Sequence, residues 1–138
     1  MKTLNSMILA LGAVALLGTT ALKAQTAEAN VPFEFTVQSQ TLPAGHYSLA
    51  PLSLSSRVIQ ITNLDTGKST AVLTMPAKQA KANEAAKIIF HSYGDRYFLA
   101  EVRAPHVRGR MTPSTAEEEL RASAGQQMAS VDILLASR

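Results

Sequence analysis

The chain contains no cysteine. That absence excludes a disulfide framework, a thiolate metal site, a thiol nucleophile and a lipid-modified N-terminal cysteine. Whatever compartment it occupies, an ordinary apolar core must hold it together. A hydrophobic run long enough to span a bilayer is missing too. The stretch "MILALGAVALL", residues 7–17, follows Met1 and Lys2 and leads into small and polar residues. A charged start, a short apolar run and a small-residue exit form the pattern of a secretory signal rather than a membrane helix. Cleavage is expected after Ala24, with Ala27-Glu28-Ala29 as a second site, so residues 1–24 (to 29 at the latest) are set aside and 30–138 are read as one domain.

A surplus of one charge is also absent once the signal is removed. The whole chain carries 13 basic and 10 acidic side chains. Lys2 and Lys23 leave with the signal, so eleven basic groups face ten acidic ones. That near-balance gives little support to a nucleic-acid partner or an anionic membrane surface. A local excess of Lys and Arg between residues 78 and 110 reads as a solvated face. No internal repeat of fixed period is present.

What remains is alternation. In "VPFEFTV" the apolar residues are Val31, Phe33, Phe35 and Val37, with polar side chains at 34 and 36. "HYSLAPL" places Tyr47 and Leu49 on one side, "RVIQIT" offers Ile59 and Ile61, "TAVLTM" offers Ala71, Leu73 and Met75, and "SVDILLA" offers Val131, Ile133 and Leu135. With "KIIFHSY" and "RYFLAEVR", seven period-2 runs separated by turn signals predict a mainly β fold, an antiparallel sandwich or small barrel. "LPAG" at 42–45 is a turn. Residues 76–86, rich in Ala and Lys, read as one helical turn or a loop. "TPSTAEEELRASAG" predicts one short C-terminal helix. Its N-cap is Thr112 with Pro113 at the first position, or Ser114 with Glu117 closing a capping box, and Gly125 supplies the C-terminal stop. Leu120 is its one large apolar side chain.

The stretch "NLDTGKST", residues 63–70, mimics two catalytic motifs. "GKST" ends a phosphate-binding loop, but five residues before Gly67 stands Thr62, not glycine, and a strand follows where a helix is needed. "DTG" carries the aspartate of aspartic proteases, but it occurs once here and is not preceded by a hydrophobic strand end. A hairpin explains more: pairing 61 with 71 leaves Asp65, Thr66 and Gly67 as a three-residue loop with Gly67 left-handed. A second hairpin centres on "HSYGDRYFL". An odd loop there puts Ile88, Phe90, Phe98, Ala100 and Val102 on one face, and Lys87, Ile89, His91, Tyr93, Tyr97, Leu99, Glu101 and Arg103 on the other. That second face, with rings, a histidine, an acid and cations, suits either a ligand or the amphipathic outside of a sheet. His91, Tyr93, Tyr97, Leu99, Glu101 and Arg103 are therefore the candidate ligand or interaction residues.

Catalytic signals are scarce. His46, His91 and His106 have no neighbour at metal-ligand spacing, and no serine sits in a nucleophile elbow. No catalytic, cofactor or metal residue is assigned.

The blocks "PFEFTV", "LPAGHYSL" and "IIFHSYGDRYFLAEV", followed by Gly109-Arg110 and an acidic helix, resemble an uncharacterised family of small secreted bacterial proteins with the pattern PFxFxV, LPAGxY and FHxYGDxYFL. The resemblance spans the expected mature chain. It implies export to the periplasm or beyond, and it assigns no activity and no catalytic residue. The expectation is thus a non-enzymatic, envelope-associated interaction module, or alternatively a barrel binding a small apolar or aromatic ligand, with no transmembrane helix after signal removal.

Overall fold

Proline at position 32 has no N–H to give a ladder, and the first predicted strand breaks there. The computed structural model describes residues 26–53, 57–77, 83–123 and 127–137. The expected signal, Gly125 and part of the 76–86 stretch lie outside them. Eleven strands and one helix follow in order: β1 (Ala27–Val31), β2 (Phe35–Val37), β3 (Gln40–Leu42), β4 (Gly45–Pro51), β5 (Val58–Asn63), β6 (Ser69–Leu73), β7 (Lys87–Tyr93), β8 (Arg96–Arg103), β9 (Arg108–Arg110), α1 (Thr115–Ala122), β10 (Met128–Leu134) and β11 (Ala136–Ser137). The fold is mainly β, as the alternation predicts.

The strands form two sheets. One runs β11-β1-β4-β5-β6; the other runs β10-β7-β8-β2-β3, with β9 also on β8. All pairings are antiparallel except that of β2 with β8. "VPFEFTV" is thus not one strand. Its alternation holds, with Val31, Phe35 and Val37 buried, but the chain changes sheets between β1 and β2. β1 begins at Ala27, so the second cleavage site lies inside a paired strand: Ala27 and Ala29 are buried opposite Leu49 and Tyr47.

The two sheets are stitched at both sides. β10 runs straight into β11 and so passes from the second sheet to the first. On the opposite side Met75 and Arg110 exchange two backbone hydrogen bonds of 2.8 and 3.0 Å, linking the end of β6 to β9. Gly109 is required at that seam, because a Cβ there would stand 2.5 Å from the Thr74 side chain. Between the sheets lies a ring cluster. Phe35 meets Tyr47 and Phe90 edge-on at 5.1 and 5.2 Å, and Phe33 meets Phe90 edge-on at 5.0 Å, with Leu49, Ile61, Ile88 and Val102 filling the remainder. Edge-to-face packing of this kind adds to the gain from burial.

The "NLDTGKST" stretch is a hairpin, with a different register from the one expected. Ile61 faces Thr70, not Ala71, and Asn63 N donates to Lys68 O. The loop is therefore four residues, 64–67, and Val72 rather than Ala71 or Leu73 enters the core. The cause is Asn63, whose Oδ1 accepts from the backbone N–H of Asp65 (2.9 Å) and Thr66 (3.2 Å) and so winds the turn one residue wider. Gly67 is left-handed as expected, with φ +77°.

Asp65 is structural. Its Oδ2 accepts from His46 N at 3.0 Å, and a Cβ on Gly45 would lie 2.8 Å from that oxygen. Tyr47 completes the knot: its hydroxyl donates to Pro43 O and accepts from Asn63 Nδ2 at 3.2 Å. "LPAGHY" and "NLDTG", far apart in sequence, form one interlocked pair of turns.

Candidate functional site

Gly94, with φ +66°, makes the β7–β8 turn a two-residue loop, so Tyr93 pairs with Arg96 and His91 with Phe98. Farther along, Ile88 pairs with Val102 and Ile89 with Glu101, and a bulge absorbs the extra residue between Phe90/Leu99 and Ile89/Glu101. The expected odd loop gives the correct register beyond the bulge and the wrong one near the turn. Consequently His91, Tyr93, Glu101 and Arg103 do share the outer face of the second sheet. Tyr97 and Leu99 do not. Leu99 is buried in the inter-sheet core, and Tyr97 stacks on Phe33 with centroids 3.8 Å apart. Phe98 takes their place outside, edge-on to Tyr93 at 5.7 Å.

Helix α1 lies over this outer face. Ser114 is its N-cap and accepts from Glu117 N at 3.2 Å. The Glu117 side chain does not close a capping box. It turns into the sheet, where the residue is only 3% exposed and is the buried residue of the helix, while Leu120 is half-buried. His91 Nδ1 stands 2.8 Å from Glu117 Oε1, Tyr93 donates its hydroxyl to the same oxygen at 3.1 Å, and Arg121 Nη2 approaches at 3.5 Å. Arg121 Nε also reaches the Tyr93 oxygen at 3.4 Å. A buried carboxylate is tolerated only when partnered in this way. The helix ends at Ser123, whose N–H and hydroxyl both donate to Glu119 O.

Arg121 is pushed up from the ordinary arginine value, first by the hydrogen bond to Tyr93 and further by the charges of Glu117 and Glu118. Arg103 is pushed up more strongly, first by its bond to Glu101 and then by Glu84. It donates to Glu101 at 2.8 and 3.2 Å and to Glu84 at 2.7 Å. Lys87 extends this lattice to Asp132 at 3.0 Å. Glu101 and Arg103 are therefore engaged with each other.

Beside α1 a groove of about 330 Å³ opens. Its floor is apolar, made by Met75, Ile89, Ala100, Met111 and Pro113. His91, Glu101, Glu117, Arg110 and Arg121 form its polar walls. Among the described residues no group of three or more His, Cys, Asp or Glu side chains is placed to hold a metal, and no helix is long and apolar enough to cross a membrane.

Of the residues named from the sequence, His91 and Glu101 line the groove, Tyr93 and Arg103 lie beside it on the same sheet face, and Glu117, Arg121, Arg110, Met75 and Met111 are lining residues the sequence did not single out. One signal for Glu117 and Arg121 was present: they stand four apart on a helix that has almost no apolar side chain to dock it. The fold and site together define a two-sheet β-sandwich carrying a groove on the outside of one sheet, walled by a helix that is anchored through a buried glutamate. Comparison with family models, with curated proteins and with solved structures finds nothing that matches this chain.

Proposed function

We propose that this chain is an exported, non-enzymatic β domain that works by binding, and that it binds at the groove beside α1. Export is supported by the signal pattern in residues 1–24 and by the resemblance to a family of small secreted bacterial proteins. One observation carries the binding reading: the apolar floor of the groove adjoins polar walls whose buried member, Glu117, is fixed by His91, Tyr93 and Arg121. An apolar concavity with a few held polar groups is the usual form of a small-molecule site. The ring cluster between the sheets argues against a ligand inside the sandwich. The groove therefore favours a small apolar or aromatic ligand over a protein or envelope polymer. Catalysis is not assigned, because the sequence carries no thiol and no nucleophile elbow.

Native mass spectrometry of the protein taken from the exported fraction tests this reading. The expected result is a non-covalent added mass that disappears in Met75→Glu, a change at a half-exposed floor residue. A bare chain throughout, or an added mass that survives Met75→Glu, overturns the groove as the binding site.

A further inference from the structure

We infer that the groove beside α1 takes an amphiphilic carboxylate, its anionic head on the arginines and its apolar body over Met75. This rests on the groove being the binding site and names its ligand class.

The charges around the groove divide into those already used and those left over. Both acids in the walls are engaged before any ligand arrives. Glu101 gives its two oxygens to Arg103 at 2.8 and 3.2 Å, and Glu117 Oε1 receives His91, Tyr93 and Arg121. The cations are not used in the same way. Arg121 spends Nε on Tyr93 and has only a long 3.5 Å contact from Nη2 to Glu117, with half its side chain exposed. Arg110 is exposed, and its guanidinium has no acceptor among the described residues. The groove therefore offers surplus N–H donors and positive charge above an apolar floor. An arginine fork matches a carboxylate in two parallel hydrogen bonds, and excluding water strengthens that pairing.

Within the floor Met75 is 47% exposed and Ile89 and Pro113 are half-buried, whereas Ala100 and Met111 are buried beneath them. The apolar part of the ligand therefore covers Met75 first.

Methyl NMR reads this directly. Met75 and Met111 line the groove, whereas Leu64, exposed in the β5–β6 loop, serves as an internal control. Octanoate, octylammonium and octanol are titrated below their aggregation concentrations. The expected result is that octanoate shifts Met75 and Met111 but not Leu64, and binds at least tenfold tighter than the cation and the alcohol. Arg110→Gln removes that preference and Lys68→Gln, at a distant exposed cation, keeps it. Equal binding of all three amphiphiles overturns the carboxylate assignment and leaves the groove as an apolar site. Shifts at Leu64 alike, or at none of the three, overturn it together with the groove reading.

Discussion

Glu117 is the side chain whose removal the fold should feel most. Truncating it leaves His91, the Tyr93 hydroxyl and Arg121 without their shared acceptor beneath a helix that has no other strong anchor. Glu117→Ala is expected to lower stability by about 2–3 kcal/mol in urea unfolding. Glu117→Gln, which keeps an acceptor oxygen, is expected to lose less. Tyr47 governs the alkaline limb. Burial pushes its phenol up from the ordinary value near 10, the Asp65 charge adds to this, and the Asn63 hydrogen bond opposes it. Because the folded value is the higher, the unfolded chain gives up this proton first. The contribution is complete below pH 10 and is lost as pH rises through the folded value. Tyr47→Phe is expected to cost about 1 kcal/mol at neutral pH and to make stability fall less steeply above pH 10, both measured by denaturation across a pH series.

At the scale of elements, turns decided what the sequence could reveal. The β2–β3 hairpin turns on Gln38, a non-glycine residue with φ +54°, held by a long 3.5 Å bond from its Nε2 to Leu73 O. Gln38→Gly is expected to raise stability by about 1 kcal/mol by removing the left-handed strain, checked by thermal unfolding. Strand existence was legible throughout, because alternation survives even where a strand breaks, as Val31, Phe35 and Val37 show. Register was not legible. Asn63 widened one turn by a residue, and Gly94 with the bulge at Ala100 shifted the other. Each change exchanged inner for outer side chains over a short span. That is why Tyr97 and Leu99 belonged to the predicted face and sit on the opposite one. Glu117 was hidden for a different reason: a glutamate in the first turn of a helix is explained already by the helix dipole, and nothing local says that it points into a sheet.

The whole molecule is organised by seams at its two sides. β1 pairs on one flank with β4 and on the other with β11. A chain beginning at Asn30, as cleavage after Ala29 would leave it, lacks Ala27 and Ala29 and the ladder to Ser137. It is expected to unfold at markedly lower urea concentration than a chain beginning at Gln25, and any cleavage, read by mass at the new N-terminus, is expected to fall before Ala27. The pairing of Ala27 with Ser137 also sets an order of events. β1 has one neighbour, β4, close behind it in sequence and the other, β11, at the opposite end of the fold. That second ladder closes a long loop, which is slow. The sheet thus keeps one open edge, along β1, until Ala136 and Ser137 are in place.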